Sequence, residues 1–129
     1  MIVMSIIEEV ANHLEFLGFG TVSTAQVDGN IFFGVMPDKP DTCICVFSTD
    51  SGYHGSPNGA RIQIATRAMN DSDAYDVSQE IIEELVDFIG FLAGDGSYVR
   101  IEVVNASQGL GADSVRRYMY SSNIVVYYC

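Results

Sequence analysis

The residue types that most often carry catalysis are scarce in this sequence, which has two histidines and three cysteines. Cys43 and Cys45 lie two residues apart in a stretch, residues 42–48, that is apolar almost throughout. A strand without polar alternation is usually covered on both faces, and a buried cysteine behaves as a small apolar side chain. Cys129 makes the count odd, which does not indicate a disulfide framework. We therefore predict reduced thiols that are structural.

Neither histidine completes a catalytic pair. His13 falls among the polar positions of a predicted first helix, which favours a surface histidine, and His54 lies on a polar loop, residues 49–59. The sequence contains no Gly-x-Ser-x-Gly motif. No catalytic residue is assigned, and the chain is predicted not to be an enzyme. A small thiol enzyme or ligand-binding domain that uses Cys43, Cys45 and His54 is the less favoured alternative.

Metal and cofactor sites are not predicted either. Cys43, Cys45 and His54 supply at most three soft ligands at poor spacing. Residues 71–76 (Asp-Ser-Asp-Ala-Tyr-Asp) resemble the start of a calcium loop, but the sixth position lacks glycine and the twelfth lacks glutamate. Helix capping explains these carboxylates with fewer assumptions. The sequence predicts no metal and no cofactor.

The charge of the chain bounds its partners. The formal net charge is −11, with one lysine and five arginines. Nucleic-acid-binding surfaces need clustered positive charge, and anionic membranes attract polybasic segments. The composition therefore disfavours binding to DNA or to a membrane. It fits a surface past which a polyanion slides without sticking.

Two groups of polar residues are candidates for contacts. The acidic set lies off the apolar stripe of a predicted second helix, and it comprises Glu80, Glu83, Glu84 and Asp87. A solvated helix surface is the favoured interpretation, and the lining of a channel is the alternative. Tyrosine and arginine are residues that interfaces favour. They occur here as Tyr53, Tyr118, Tyr120, Tyr127, Tyr128 and the doublet Arg116-Arg117. Cross-strand packing of the tyrosines and local ion pairing of the arginines are the alternatives.

These residues must be positioned by a strand and a helix in residues 61–92. Residues 61–67 alternate, which predicts a strand. Val77, Ile81, Leu85, Phe88 and Leu92 recur at spacings of 4, 4, 3 and 4, which predicts one face of a long helix. We expect that helix to begin after an N-cap at Asp73 and to run to residue 93, with Gly94 as its stop.

The remaining pattern predicts one further helix and five further strands. Ser5-Ile-Ile-Glu8 is a capping box that opens the first helix. Strands are predicted at residues 21–27 and 31–35 as a hairpin, and then at residues 42–48, 98–104 and 118–128; residues 105–114 are predicted to be an irregular loop. The order is α-β-β-β-β-α-β-β. Short links favour antiparallel neighbours, so the predicted class is α+β: a largely antiparallel or mixed sheet of about six strands with two helices packed on one face.

The length predicts one domain over residues 1–129, large enough to bury a core. The start of the sequence lacks the basic region of a signal peptide, and no apolar run approaches the roughly 20 residues that span a membrane. With the reduced thiols, this predicts assembly inside the cell.

Three motifs together resemble the minor capsid or tail-completion proteins of tailed bacteriophages, the tail-terminator type. They are residues 33–41 (Phe-Gly-Val-Met-Pro-Asp-Lys-Pro-Asp), residues 62–67 (Ile-Gln-Ile-Ala-Thr-Arg), and residues 110–117 (Leu-Gly-Ala-Asp-Ser-Val-Arg-Arg) before residues 120–124 (Tyr-Ser-Ser-Asn-Ile). The resemblance covers nearly the whole chain. It departs from the usual pattern in the longer loop at residues 49–59.

The resemblance implies a virion protein at the tail end or head–tail junction that assembles in the host cytoplasm. It implies a ring, commonly six-membered, that caps the tail tube, ends tube growth and joins the tail to the head. The implied partners are further copies of the chain, the tail tube protein, and a head-completion or connector protein; DNA passes without specific binding. A connector protein on the portal side is the alternative. Candidate interface residues are Arg67, Arg116, Arg117, Tyr53 and His54, and the acidic set is the candidate lining of the DNA conduit.

Overall fold

The computed structural model describes residues 5–49, 59–93 and 96–128, and every structural statement concerns these residues. They form two helices and six strands. In chain order these are α1 (Ile6–Phe16), β1 (Ile31–Phe33), β2 (Cys43–Ser48), β3 (Ala60–Ala68), α2 (Asp71–Leu85), β4 (Ile89–Phe91), β5 (Tyr98–Ala112) and β6 (Tyr118–Tyr128). The strands build one mixed sheet in the order β1-β2-β3-β6-β5-β4. The β1–β2 pair is parallel, and the other pairs are antiparallel. The predicted α+β class is confirmed.

Both helices pack on one face of the sheet, as predicted. α1 lies over β1 and β2, and α2 lies over β3, β5 and β6. Alternate strand residues such as Ile44, Ile62 and Ile124 join the helix residues in one apolar core. The alternation of residues 61–67 therefore does place its isoleucines toward the helices. The first capping-box contact is also present, because the Ser5 hydroxyl accepts from the Glu8 amide at 3.3 Å.

The predicted strand at residues 21–27 is wrong, and so is the hairpin built on it. Only an isolated parallel bridge between Val22 and Ile31 forms. The Thr24 hydroxyl accepts hydrogen bonds from the amides of Gln26 and Val27, and the Thr24 amide donates to the Val27 carbonyl. A threonine side chain that binds its own neighbouring backbone in this way closes a turn and competes with strand pairing.

The second helix ends at Leu85, earlier than predicted. Its N-cap is Asn70 and not Asp73: the Asn70 side chain accepts from the Ser72 amide at 2.9 Å. After the helix, Asp87 takes a left-handed conformation with φ 56°, and the chain continues as β4. Phe88 and Leu92 do reach the core, but from the β4 segment and not from a helix. A spacing of four fits two steps of a strand as well as one turn of a helix, so periodicity could not separate them. Gly94 lies outside the described residues.

β5 is longer than predicted and absorbs most of residues 105–114, so the predicted irregular loop is wrong. Its pairing with β6 continues to Ala112 through three register shifts, which are β-bulges. Ser107, at φ 50°, sits within this bulged part. Its amide donates to the Ser122 hydroxyl at 2.8 Å, and its hydroxyl donates to Gln79 on α2 at 2.7 Å. Side-chain bonds thus hold the irregular part of the hairpin against α2.

Candidate functional site

The predicted interface residue Arg67 is buried, and its guanidinium binds the loop between β1 and β2 (residues 34–42), called here the β1–β2 loop. Arg67 lies near the end of β3 and is 5% exposed. Its Nε donates to the Asp41 carbonyl at 3.1 Å. Its Nη2 donates to the carbonyls of Pro37, Asp38 and Pro40 at 2.8, 3.2 and 2.8 Å. One guanidinium therefore donates hydrogen bonds to four backbone carbonyls, which fixes the conformation of the loop.

Arg117 is buried as well and binds the same loop from the β5–β6 turn. Its Nε donates to Asp113 at 2.7 Å, and its terminal nitrogens contact the carboxylates of Asp38 at 3.1 Å and Asp41 at 3.4 Å. A further bond runs from Nη1 to the Asp38 carbonyl. The Arg117 amide and guanidinium lower the pKa of Asp113, and the Lys39 ammonium lowers the pKa of Asp41. Arg67 and Arg117 thus hold the loop between them, and the lowered pKa keeps the Asp41 carboxylate of the loop ionised.

Arg116 differs from Arg117 in its exposure, its backbone conformation and its lack of an ion pair. Its side chain is exposed, its φ is 64°, and within the described residues it forms no ion pair. The Asp113 carboxylate accepts from the amides of Val115 and Arg117 at 3.0 and 2.9 Å, which folds the turn so that adjacent side chains diverge. Of the three arginines, Arg116 alone is exposed, whereas Arg67 and Arg117 are buried. The role of all three at a subunit interface stays a prediction.

His13 is buried, so the prediction of a surface histidine is wrong. Its Nδ1 accepts a hydrogen bond from the Ala93 amide at 3.1 Å, and its ring lies edge-on to Phe88 with 5.0 Å between centroids. Because Nδ1 accepts, Nε2 carries the proton of the neutral ring, and among the described residues it has no partner. Burial lowers the pKa of His13, and Glu84 opposes this shift. The histidine joins α1 to the end of β4. Tyr53 and His54 lie outside the described residues.

The two strand cysteines are structural. Cys43 and Cys45 are both buried and unpaired. Burial raises the pKa of Cys43, and it raises that of Cys45 to about 12. Both thiols are therefore protonated at neutral pH, and a protonated buried thiol is a poor nucleophile. Cys129 lies outside the described residues.

The acidic set is exposed throughout. Glu80, Glu83 and Glu84 project from α2, and Asp87 lies in the turn that follows it. None of the four forms an ion pair with another described residue. That they line a conduit stays a prediction.

Cross-strand and helix contacts account for two of the candidate tyrosines, Tyr120 and Tyr127. The Tyr120 hydroxyl donates to Asp71 at 2.8 Å, and its ring meets Tyr75 edge-on at 5.4 Å. The guanidinium of Arg100 lies 4.3 Å from the ring centre of Tyr127. These contacts favour packing on the sheet over a free tyrosine surface for the two residues.

Seven exposed apolar side chains lie at two places that the sequence did not single out, and others, including Phe16 on α1 and Val35 in the β1–β2 loop, belong to neither. The first, called the β4 end, comprises Val86, Ile89, Phe91 and Tyr98. The second, called the turn end, comprises Met69, Leu110 and Val115 beside the β5–β6 turn. The long helix predicted to run to residue 93 would have included Ile89. The strand β4 turns it outward instead, and alternation with the half-buried Phe88 and the buried Leu92 is the signal that could have indicated this.

The described residues hold no cluster of three or more groups that could bind a metal. Neither α1 nor α2 has the length and hydropathy to cross a bilayer. A comparison with protein families gave a match over residues 13–128 to a family described as "Bacteriophage tail terminator protein". A search of curated proteins returned no match.

Proposed function

The chain belongs to the bacteriophage tail terminator family, and from this premise we propose that it forms a ring that caps the tail tube, stops tube growth and joins the tail to the head. The observation that carries the proposal is the family match over residues 13–128, nine-tenths of the 129-residue chain. Membership makes the chain a virion protein of a phage tail. Ring formation, capping and the passage of DNA are the finer parts of the proposal.

The charge of the chain supports a DNA conduit. A ring multiplies a net charge of −11 by its number of copies. Like charge repels phosphates and gives DNA no counterions to displace, so DNA moves through without being held. We propose that the exposed acidic set borders the opening of the ring at the place where neighbouring copies meet.

The clamped β1–β2 loop supports a role in assembly. Two buried arginines hold residues 34–42 in one conformation before any partner arrives. A preorganised surface loses less conformational entropy on binding than a mobile one. The buried thiols Cys43 and Cys45 argue against the thiol-enzyme alternative.

The proposal is tested by the length of tail tubes assembled in vitro. The tail tube protein of the same phage is allowed to polymerise with and without this chain, and tube lengths are measured by electron microscopy. We expect shorter tubes, with lengths that fall as the ratio of chain to tube protein rises. Unchanged lengths at a molar excess of chain would refute the capping role.

A pull-down separates the leading proposal from the connector alternative. Immobilised chain is exposed to tube protein or to portal protein in parallel. Retention of tube protein is expected. Retention of portal protein alone would place the chain on the head side of the joint.

A further inference from the structure

We propose that copies of this chain join head to tail, with the β4 end of one copy against the turn end of the next. This inference rests on the self-association proposed above, and it names the two surfaces that meet. The partner is a second copy of the chain.

The edge of β4 is open for association. The Leu92 amide bonds to the Ser97 carbonyl and the Ile101 amide to the Phe88 carbonyl, so Phe88, Gly90 and Leu92 direct their backbone groups at β5. In an antiparallel pair the alternate residues point the other way. The N–H and C=O groups of Ile89 and Phe91 therefore face away from the sheet, where no described residue pairs with them. An unpaired edge of this kind is a site that proteins cover or use.

The β4 end is apolar as well as open. Ile89 is 62% exposed and Phe91 is 68% exposed, and the ring of Tyr98 packs edge-on against Phe91 at 4.8 Å. Val86 adds a further exposed side chain at the end of α2. Contiguous apolar side chains beside an open edge are typical of a contact surface.

The turn end offers an apolar surface of matching kind. Val115 and Met69, each about half exposed, border a surface cavity of about 270 Å³, which is also lined by Asp38, Lys39, Asp41 and Arg117. Leu110 is exposed on β5 close to the same turn. Apolar contact alone would allow either end to meet itself, so charge must decide the pairing.

The charges of the two ends are complementary. Glu83, Glu84 and Asp87 lie at the β4 end, and none has an ion-pair partner among the described residues. The cation at this end, Arg100, lies opposite Ile89 and pairs with Glu102 at 3.9 Å. The turn end holds four of the six cationic residues of the chain, namely Lys39, Arg67, Arg116 and Arg117. Four carboxylates lie there and have partners: Asp38, Asp41 and Asp113 pair with Arg117, and Asp71 accepts from the Tyr120 hydroxyl. The exposed Arg116 is therefore the cation available to a neighbour's carboxylates.

The two ends lie too far apart to be one surface. α2 runs from beside the turn end to the β4 end, and its 15 residues span about 22 Å at ~1.5 Å per residue. Contact between two β4 ends would set acidic residues against acidic residues, and contact between two turn ends would set Arg116 against Arg116. Contact between unlike ends is heterologous, and such contacts close into a ring when the rotation allows. The pairing thus fits the ring that the proposed function requires.

Reciprocal charge reversal tests the pairing. One variant carries Glu83→Lys with Glu84→Lys, and the other carries Lys39→Glu with Arg116→Glu. The control carries Glu15→Lys with Asp28→Lys, which changes net charge as the first variant does but at exposed positions of α1 and the following loop. Circular dichroism confirms that each variant folds. Association is measured by sedimentation velocity over a range of concentrations, for each variant alone and for a 1:1 mixture of the first two.

We expect each reversed variant alone to need at least a tenfold higher concentration than the wild type for half association, and the control to associate like the wild type. The mixture should associate like the wild type, because every contact is again between opposite charges. Wild-type-like association of either variant, a mixture no better than its components, or a wild type that is monomeric throughout would overturn the inference. If the charge-reversed variants lost binding to tube protein but kept self-association, the inference would also be overturned. The tube protein, and not a second copy, would then be the partner of these two ends. Tube shortening by the wild type is a separate readout, so the proposed function can stand while this pairing fails.

Discussion

Two adjacent arginines in one turn have opposite environments. Arg117 is buried against three carboxylates, whereas Arg116 is exposed and unpaired within the described structure. The sequence predicted the doublet as a local ion-pair site or an intersubunit contact, and the structure shows that ion pairing describes Arg117. The difference comes from the Asp113 turn and from carboxylates more than 70 positions away, neither of which local pattern reveals.

Arg67→Lys should destabilise the fold by about 2 kcal/mol, because an ammonium cannot reproduce a planar fork that bonds to four carbonyls and hydrogen bonds from charged donors are strong. Urea unfolding measures the loss. Arg116→Lys is the matched control, and its stability should lie within about 0.5 kcal/mol of the wild type. Equal stability of the two variants would show that the clamp on the β1–β2 loop contributes nothing.

His13 should make stability fall as the pH drops below its ordinary pKa of 6.5. Its pKa is lowered in the folded chain, so the unfolded chain binds the proton first, and stability is lost between pH 6.5 and the lower folded value. Asp41 and Asp113, whose pKa values are lowered from 3.8, act in a separate and more acidic window. Urea midpoints between pH 7.5 and 5 measure the effect. His13→Gln should flatten that part of the profile, and an equally steep profile in the variant would assign the dependence to other groups.

Cys43 and Cys45 should resist a thiol reagent in the native protein and react on unfolding, because both are buried with raised pKa values. A Cys129→Ser background restricts the signal to these two thiols. Mass spectrometry after brief labelling at pH 7.5, with and without guanidinium, gives the readout. Rapid labelling of the native protein would restore the thiol-enzyme alternative.

At the scale of elements, the patterns that repeat were predictable and the breaks between them were not. Residues 77, 81 and 85 do lie on the inner side of α2, and residues 61–67 do alternate in β3. The helix end, by contrast, depends on the left-handed Asp87 and on pairing of β4 with β5, which is a contact between residues about ten positions apart. The apolar spacing after Leu85 fits both a helix and a strand, and the pairing of β4 with β5 decided for the strand.

The same limit explains which parts of the candidate site were missed. Arg67 and Arg117 were identified by residue type, but the loop that they bind is brought to them by the sheet. Ile89 and Phe91 were assigned to a helix, so their exposure on an edge strand could not be foreseen. Whether a residue faces the core or solvent depends on whether it lies in a helix or a strand. A wrong assignment of the element therefore gave a wrong prediction of exposure.

Asn70→Ala should cost about 1 kcal/mol, because the side chain caps α2 through the Ser72 amide and hydroxyl. Asn70→Asp keeps the acceptor and should retain most of the stability. Thermal unfolding of the two variants and the wild type is the measurement. Equal losses in both variants would mean that the cap is not what the position contributes.

At the scale of the whole molecule, the chain combines strong negative charge with two apolar ends of unlike local charge. In the proposed ring, the net charge repels DNA, whereas the unlike ends of neighbouring copies attract one another. Rising salt screens both effects. These charges fit the proposed ring, in which copies of the chain join through their ends and DNA moves through the opening.

The position of the chain on assembled tail tubes tests the central claim most directly. Tubes grown from the tail tube protein in the presence of the chain are labelled with gold against a tag on the chain and imaged by electron microscopy. A terminator should appear at one end of each shortened tube, as a ring seen end-on, and nowhere along its length. Label scattered along the tubes, present at both ends equally, or absent from tubes whose growth has stopped would contradict the assignment.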